Sequence, residues 1–213
     1  MKNKTYLFDF DGTLVDSMPS FCAMVIRILD EEGVNYPSNV VKIVTPLGGK
    51  KTAEYFIELG VKDTLENVMA KMNKYCISDY ENTIPLKDGV KQTLIELKNQ
   101  GASLNVLTAS PHSCLDVCLK RLGVYDLFDN VWSCDDFNTS KSNPEIYKMA
   151  ADRLNAKVNE VIFVDDNVNA VKTAKQAGMI SYGIYDESSK DFIAEMQAVA
   201  DKYVMNFKEL LNK

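Results

Sequence analysis

Short apolar runs and longer amphipathic stretches alternate along the chain beyond residue 84. These runs, with a similar one near the N-terminus, predict β-strands at residues 4–10, 103–108, 130–134, 161–164, 180–184 and 203–204. The amphipathic stretches predict helices at residues 88–99, 112–122, 143–154, 168–177 and 189–197, followed by a final helix. Strands that alternate with helices are typical of a parallel sheet covered on both faces. We therefore expect an α/β fold with a Rossmann-like, doubly wound parallel sheet.

Residues 17–83 interrupt this alternation, because their apolar positions recur at helical spacing. Phe21, Val25 and Ile28 are an example, and no convincing strand pattern occurs in the segment. No internal repeat or long linker suggests a further domain. We expect residues 1–15 and 84–213 to form the core domain, and residues 16–83 to form an inserted α-helical cap domain.

The charge and cysteine content narrow the possible partners and the compartment. A net charge of -6 argues against a broad surface for nucleic acid or an anionic membrane, because both need a positive field. No signal peptide or membrane span is expected, and the five cysteines form no CxxC pair, which fits a reducing compartment. We expect a cytoplasmic protein that is a monomer or a weak homodimer, without nucleic-acid or membrane partners.

Two pairs of aspartates follow predicted strands. Asp9 and Asp11 flank Phe10 at the end of the first strand, where an extended backbone would direct both side chains to the same side of the sheet. Asp165 and Asp166 end another apolar strand. Burying four acids without compensation is very costly, so a divalent cation is the simplest explanation, and oxygen ligands alone favour Mg²⁺.

Two further residues are candidates for holding an anionic substrate at the same edge of the sheet. Thr108 ends a third predicted strand, and Lys141 precedes a predicted helix. Both side chains are able to contact phosphate, but a threonine after a strand is commonly a turn or capping residue, and a loop lysine is commonly solvated. The order in which Thr108 and Lys141 occur relative to the two acidic strand ends favours the phosphate-binding interpretation.

These motifs, in this order, resemble those of the haloacid dehalogenase-like superfamily of phosphohydrolases. The resemblance rests on DFDGTLVDS at residues 9–17, TAS at 108–110, Lys141 and VDDN at 164–167. It covers essentially the whole chain, including a helical insert after the first motif, as in the subfamily that contains phosphoglycolate phosphatases and β-phosphoglucomutases. The third motif departs from the frequent Gly-Lys-Pro opening, because this chain has SKSNP at residues 140–144.

The resemblance implies a role for each acid. Asp9 would attack phosphorus and form an aspartyl phosphate, and Asp11 would act as the acid and base. Magnesium would be bound by the Asp9 carboxylate, the Asp11 main-chain carbonyl and Asp166, with Asp165 as a ligand or a partner of a ligand. A small phosphorylated metabolite, either a sugar phosphate or a phosphoglycolate-like compound, is the implied substrate.

The resemblance also implies which groups bind the phosphoryl oxygens. Thr108, the main-chain N–H groups that follow it, beginning at Ala109, and Lys141 would neutralise these oxygens. Lys141 would in addition orient the acids. Lys148 is a fallback, although its place inside a predicted helix favours a solvated surface position.

Residues 48–52, with the sequence GGKKT, faintly suggest a phosphate-binding loop. The earlier glycine of that motif would fall at Val44, and Lys51 stands where a Ser or Thr is required, so we reject a P-loop nucleotidase. The resemblance puts Lys50 and Lys51 in a cap loop that faces the site, where either would contact the distal part of an anionic substrate. Solvated lysines are the simpler interpretation.

Several functions compete for this set of motifs. Asp11 favours phosphoryl transfer over carbon-halogen cleavage, because dehalogenases of the superfamily use the first aspartate alone. Phe21 occupies the position nearest to a cap histidine of the mutases, and Thr13 resembles the phosphatase form, so hydrolysis is favoured over a phosphomutase of the β-phosphoglucomutase type. A non-catalytic phosphate-binding module is the third alternative. His112, the only histidine, belongs to no Ser-His-Asp order, and we expect a local role for it.

Overall fold

The structure is a computed structural model that describes residues 4–45 and 47–211 of the 213-residue chain. It divides into two compact units. The first, here called the sheet unit, consists of Met1–Asp16 and Pro85–Lys213, and the second, the helical unit, of Ser17–Ile84. The α-helices are α1 (Met18–Glu31), α2 (Val40–Val44), α3 (Gly49–Glu58), α4 (Leu65–Asn82), α5 (Val90–Asn99), α6 (His112–Arg121), α7 (Glu145–Arg153), α8 (Val168–Ala177) and α9 (Ile193–Val199).

The sheet unit is built on six parallel strands. They are β1 (Thr5–Phe8), β2 (Ser103–Thr108), β3 (Asn130–Ser133), β4 (Val161–Asp165), β5 (Ile180–Ile184) and β6 (Lys202–Val204). Their spatial order is β3-β2-β1-β4-β5-β6, so the chain moves outward from β1 to β3 and then returns to the other side of β1. Phe8 pairs with Val106 of β2 and with Val164 of β4, so the carboxyl ends of the three central strands lie side by side. Ligands of such sheets bind where the strand order reverses, which here is between β1 and β4.

Helices cover both faces of this sheet. Leu7 and Phe163 pack with residues of α7 and α8 in one apolar cluster. On the other face the Phe8 ring stacks on Phe207, with centroids 5.6 Å apart, and α5 packs beside the 3₁₀ helix Phe207–Leu211. Because both faces are buried, residues 6–8 of β1 and 161–164 of β4 are continuous apolar runs that do not alternate, whereas β2 includes the buried Asn105. The expected α/β fold with a doubly wound parallel sheet is confirmed.

The observed elements differ from the predicted ones mainly at their ends. Strand β1 stops at Phe8 instead of residue 10, because the Phe10 carbonyl accepts the N–H groups of Leu14 and Val15 at 2.8 and 3.0 Å and closes a turn. The helix expected at 189–197 is a 3₁₀ helix, Glu187–Phe192, followed by α9. The expected final helix is the short 3₁₀ helix Phe207–Leu211. The other 3₁₀ helices are Tyr125–Leu127, Cys134–Phe137 and Val158–Glu160.

The helical unit has its own apolar core. Buried residues of α1, such as Val25 and Ile28, pack in one cluster with Phe56 of α3 and Met72 of α4. Helix α4 begins at a capping residue, since the Thr64 hydroxyl accepts the Asn67 N–H at 3.2 Å. Within residues 17–45 and 47–84 the structure contains no strand, as the helical spacing predicted.

Two segments of the sheet unit flank the helical unit in sequence and pair with each other. The Asp16 N–H donates to the Pro85 carbonyl at 3.0 Å, and the Lys87 N–H donates to the Leu14 carbonyl at 3.0 Å. An antiparallel bridge between Val15 and Leu86 lies between these two bonds. The chain therefore leaves the sheet unit and returns to it through neighbouring, hydrogen-bonded segments.

Candidate active site

Asp9 lies directly after β1 at the carboxyl edge of the sheet. Its N–H donates to the Val164 carbonyl at 2.9 Å, which continues the pairing of β1 with β4 by one residue. The residue is 5% exposed. Its backbone is therefore fixed by the sheet, and its carboxylate is held in a largely buried position where the strand order reverses.

Three carboxylates converge at this edge. Oxygen atoms of Asp9, Asp165 and Asp166 lie within 4.8 Å of one another. Asp165 is fully buried, and its Oδ1 accepts the Asn167 N–H at 2.7 Å. The Asn167 side chain in turn caps α8 by accepting the Asn169 N–H at 2.9 Å. The start of α8 thus fixes the orientation of the Asp165 carboxylate.

Lys141 is the counter-charge of this group. Its Nζ donates to Asp9 Oδ1 at 2.5 Å and to Asp165 Oδ2 at 2.8 Å. The loop that carries it is supported by α7, because the buried Tyr147 hydroxyl lies 3.0 Å from the Lys141 carbonyl. The departure from the Gly-Lys-Pro opening therefore leaves the lysine at the acidic cluster.

Burial and the proximity of the acids change the pKa values of their carboxyl groups. Burial, followed by the negative charge of Asp165, raises the pKa of Asp9 to about 7. Burial and the charges of Asp165 and Asp9 also raise the pKa of Asp166. Burial lowers the pKa of Lys141, but the charges of Asp165 and Asp9 outweigh it and hold this pKa well above the ordinary value. Three ionised carboxylates would carry more negative charge than one ammonium balances, and the raised pKa values of Asp9 and Asp166 reflect this imbalance together with burial.

Asp166 is held by the turn that follows Asp9. The Thr13 hydroxyl donates to Asp166 Oδ1 at 3.0 Å and accepts the Asp166 N–H at 3.1 Å. Gly12 has a φ of +75°, and a Cβ atom there would lie 2.6 Å from Asp166 Oδ1. Glycine is therefore required at this position both for its backbone conformation and for the close approach of the Asp166 carboxylate.

Asp11 lies beside the cluster and has a different partner. Its Oδ2 accepts a hydrogen bond from the Ser110 hydroxyl at 2.5 Å. The Ser110 N–H donates to the Thr108 hydroxyl at 3.1 Å, and Thr108 is buried at the end of β2. Ala109, between these two residues, is exposed. The segment at residues 9–17 and the segment at residues 108–110 are thus joined through the Asp11 carboxylate. Ser110 was not among the site residues predicted from the sequence.

The donor set is suited to a hard divalent cation. All three converging side chains offer carboxylate oxygens, they are almost completely buried, and Lys141 offsets only part of their charge. Oxygen-only donors of this kind fit Mg²⁺ and disfavour metals that prefer nitrogen or sulfur. Asp9, Asp165 and Asp166 are therefore the side chains of the structure that would hold such an ion.

The remaining lysine candidates lie away from these acids or in the other unit. Lys148 is exposed on α7 and pairs with Glu145 at 2.6 Å, which agrees with a surface position. Lys50 and Lys51 are exposed in the first turn of α3 in the helical unit, and Lys50 lies 3.9 Å from Glu54. Within the sheet unit, Lys141 is thus the candidate lysine that contacts the acidic cluster.

Sequence reasoning missed one half-buried lysine near the site. The Lys87 Nζ donates to the Gly12 carbonyl at 2.6 Å, to the Tyr185 carbonyl at 2.7 Å and to Asp186 Oδ2 at 2.8 Å. Asp186 follows β5, so the rule that functional side chains follow strand ends would have found it. No pattern would have found Lys87, because two of its partners are main-chain carbonyls.

The chain matches the model of the haloacid dehalogenase-like hydrolase family over residues 6–184. This match covers most of the chain, so the protein belongs to that family, and the resemblance noted from its motifs is confirmed. The matched region includes the acidic cluster, Lys141 and the Thr13–Asp166 contact. The fold described above is thus that of a haloacid dehalogenase-like hydrolase.

Similar proteins include phosphatases and a β-phosphoglucomutase. The phosphorylated carbohydrates phosphatase of Thermotoga maritima is 27% identical over 208 residues, covering 97% of this chain and 95% of the relative. The phosphoglycolate phosphatase of Pectobacterium atrosepticum is 26% identical, covering 92% of this chain and 87% of the relative. The crystal structure of β-phosphoglucomutase from Clostridium difficile shares the fold, with a TM-score of 0.72, 21% identity and coverage of 99% of this chain and 93% of that one. The expected class, a phosphatase of this family, is confirmed.

Among the helices of residues 4–45 and 47–211, none combines the length and the apolar character that crossing a bilayer requires.

Proposed function

We propose that this protein is a magnesium-dependent phosphatase that hydrolyses a small phosphorylated metabolite through an aspartyl phosphate on Asp9. One observation carries the proposal. The Lys141 ammonium bridges Asp9 and Asp165 at 2.5 and 2.8 Å, and Asp166 completes a carboxylate cluster within 4.8 Å. An ion pair that only stabilised the fold would need one acid beside the lysine. Three acids beside one lysine carry more negative charge than it balances when they are ionised, and this favours binding of a divalent cation.

The chemistry follows from two carboxylates with different surroundings. Asp9, which lies in the cluster, attacks phosphorus, and the ester oxygen leaves with a proton from Asp11. Water then attacks the phosphorus of the aspartyl phosphate, gives a proton to Asp11 and releases phosphate and the Asp9 carboxylate. The Ser110 hydroxyl donates to Asp11 Oδ2 and so fixes the orientation of this carboxyl. When bound, Mg²⁺ would reduce the repulsion between the nucleophile and the phosphate.

The proposal assigns specific groups of the protein to the cation and to the phosphoryl oxygens. Asp9, Asp166 and the Asp11 main-chain carbonyl would hold Mg²⁺, with Asp165 as a ligand or a partner of a ligand. Thr108, the Ala109 N–H and Lys141 would bind the phosphoryl oxygens. Two of the three N–H groups of the Lys141 ammonium bond to Asp9 and Asp165 among the described residues, which leaves one for a phosphate oxygen.

The substrate class is proposed from the family and from the relatives. A sugar phosphate or a phosphoglycolate-like compound is the proposed substrate, and Lys50 and Lys51 are assigned to its distal anionic part. The proposed setting is the cytoplasm, since the five cysteines are all free thiols. The proposed state is a monomer or a weak homodimer without nucleic-acid or membrane partners.

The test compares wild type with Asp9→Asn and with Asp126→Asn, an exposed acid of the same unit, as the matched control. Phosphate release from p-nitrophenyl phosphate and a panel of phosphorylated metabolites is measured with Mg²⁺ and with EDTA. We expect turnover by wild type and the control, none in EDTA, and a loss on the order of 10⁴-fold or more in Asp9→Asn. Acid-quenched enzyme should carry a hydroxylamine-sensitive phosphoryl label that Asp9→Asn lacks.

The outcomes separate the alternatives. Equal activity in Asp9→Asn and Asp126→Asn would remove Asp9 as the nucleophile. Saturable protection by a phosphorylated ligand without any release of phosphate would point to a binding module. Interconversion of two sugar phosphates in place of release would point to a mutase.

A further inference from the structure

Lys87 has an unusual environment for a lysine near the surface of the sheet unit. Its side chain is 19% exposed, and its ammonium donates to three acceptors, two of them main-chain carbonyls. The three distances, between 2.6 and 2.8 Å, use all three N–H groups of the ammonium. The side chain is thus fully saturated by the protein, which is the property of a structural clamp and not of a ligand.

The first of its acceptors belongs to the turn that holds the catalytic acids. The Gly12 carbonyl follows Asp11 by one residue, and Gly12 itself lies against the Asp166 carboxylate. Thr13, the next residue, exchanges two hydrogen bonds with Asp166. A displacement of the Gly12 peptide group would therefore move the main-chain carbonyl of Asp11 and the support of Asp166 together.

The other acceptors anchor the clamp to the end of β5. Asp186 Oδ2 pairs with Lys87, and Asp186 Oδ1 accepts both the N–H and the hydroxyl of Ser188, at 2.9 and 2.5 Å. Asp186 is buried. Burial raises the pKa of this carboxyl, but the bonds from Lys87 and Ser188 outweigh it and lower the pKa, so the carboxylate is ionised at neutral pH. Lys87 is thus held by a charged partner that is itself fixed.

The backbone of Lys87 is fixed as well. Its N–H donates to the Leu14 carbonyl at 3.0 Å, and the preceding residue, Leu86, forms the bridge with Val15. Both the main chain and the side chain of one residue therefore hold the turn at residues 12–15. Among the described residues of the sheet unit, Lys98 and Lys175 also bond to an aspartate and a main-chain carbonyl. Their side chains are 36% and 45% exposed, and these bonds go to residues outside this turn.

We propose that Lys87 is a positioning residue for the reaction, because its ammonium, anchored on Asp186 and the Tyr185 carbonyl, holds the Gly12 carbonyl and with it the turn that presents Asp11 and Asp166 to the cation and the substrate. The expected effect of Lys87 on catalysis rests on the proposed function. The expected effect of Lys87 on cation binding follows from the geometry of the turn. Residues that orient the ligands of a metal typically change its affinity or the activity by about 10-fold to 100-fold when they are replaced.

The experiment compares Lys87→Met with Lys98→Met, in the full-length chain. Both substitutions remove an ammonium that bonds to an aspartate and a main-chain carbonyl, but only Lys87 contacts the turn. We measure Mg²⁺ and Mn²⁺ affinity by isothermal titration calorimetry without substrate, the Mg²⁺ dependence of kcat, the KM and the thermal midpoint. Lys87→Met should weaken cation binding and lower kcat by about 10-fold or more, with a smaller change in KM. Lys98→Met should leave both quantities within about 2-fold of wild type.

A second variant keeps the proposal testable if Lys87→Met does not fold. Asp186→Asn preserves the shape of the anchor and removes its charge, and we expect a loss of cation affinity in the same direction, by about 3-fold. Cation affinity and kcat equal to those of Lys98→Met, with only a lower thermal midpoint, would overturn the proposal. A wild-type protein that hydrolyses no phosphate ester would contradict the proposed function alone, because the calorimetric comparison would still decide the role of Lys87.

Discussion

Two groups of charged residues, one in each unit, have almost the same ion-pair distances and very different surroundings. In the sheet unit, Lys141 contacts Asp9 and Asp165 at 2.5 and 2.8 Å, with side-chain exposures of 15, 7 and 0%. In the helical unit, Lys71 contacts Glu31 and Glu32 at 3.1 and 2.7 Å, with exposures of 29, 36 and 28%. Distance alone therefore does not distinguish a functional cluster from a surface cluster.

The two groups differ in how much hydration their charged side chains lose on folding. Charges at the surface of the helical unit keep much of their hydration, so their pairing changes little on folding. The charges of the sheet unit lose that hydration, and one lysine cannot compensate three acids. Perturbed buried charges of this kind are typical of functional sites, and in the proposed function the unbalanced negative charge binds a divalent cation.

Replacing the buried lysine should have the largest effect. Lys141→Met leaves Asp9 and Asp165 buried without their counter-charge, so the free energy of unfolding in EDTA should fall by about 3–5 kcal/mol. Urea denaturation at pH 8 measures this change. A loss no larger than that of a surface lysine variant would mean that the cluster is hydrated in solution, and the comparison between the units would fail.

Two glycine variants separate backbone strain from crowding of the acidic site. Gly33→Ala in the helical unit, with φ of +64° and no atom within 4 Å of the new Cβ, should cost about 1–2 kcal/mol from its backbone alone. Gly12→Ala, with φ of +75° and Asp166 Oδ1 2.6 Å from the new Cβ, should cost at least about 1 kcal/mol more, and it should weaken Mg²⁺ binding. Equal losses in the two variants would show that Asp166 moves aside without cost.

His112 of the sheet unit forms half-exposed ion pairs with two aspartates. Its Nδ1 and Nε2 lie 2.9 Å from Asp116 and Asp136, and these hydrogen bonds raise its pKa above 6.5. A raised histidine pKa stabilises the folded state below the ordinary pKa, and this stabilisation is lost as the pH rises through the raised value. The melting temperature of His112→Asn should therefore lie about 1–3 °C below that of wild type at pH 6, and the gap should shrink above pH 8. A gap that widens with pH would contradict the sign.

The surface lysine should have the smallest effect. Lys71→Met removes both ion pairs with Glu31 and Glu32, yet the free energy of unfolding should change by no more than about 0.5 kcal/mol, because the groups remain hydrated. The same urea denaturation that measures Lys141→Met measures this change. A loss above about 2 kcal/mol would indicate that this cluster is shielded from water in a way that its exposure does not reveal.

The sequence was most informative where a side chain follows an apolar strand. Asp9, Thr108, Asp165 and Asp166 were all found by this rule, because parallel strands bring their carboxyl ends to one edge whatever lies between them. Lys141 was found through the order of motifs, and its position at the cluster depends on a loop held by Tyr147, which no local pattern indicates. Their catalytic and binding roles stay predictions until the variants are measured.

The features that sequence reasoning missed depend on main-chain acceptors or on very short elements. Lys87 bonds to the carbonyls of Gly12 and Tyr185, and a carbonyl is offered by every residue, so no residue type signals the contact. The sequence predicted a final helix without indicating its type. Phe207 and Leu210 are both buried at a spacing of three, which suits a 3₁₀ helix, and the segment is too short for the sequence to separate the two periods.

The paired segments at Asp16 and Pro85 have a consequence for how such a protein changes over generations. Because the chain departs and returns at hydrogen-bonded neighbours, everything between them is topologically a single long hairpin loop. The entropic cost of closing a loop rises only with the logarithm of its length. Inserts of different size and sequence can therefore replace one another at this position over generations, while the sheet edge that carries Asp9 is inherited unchanged.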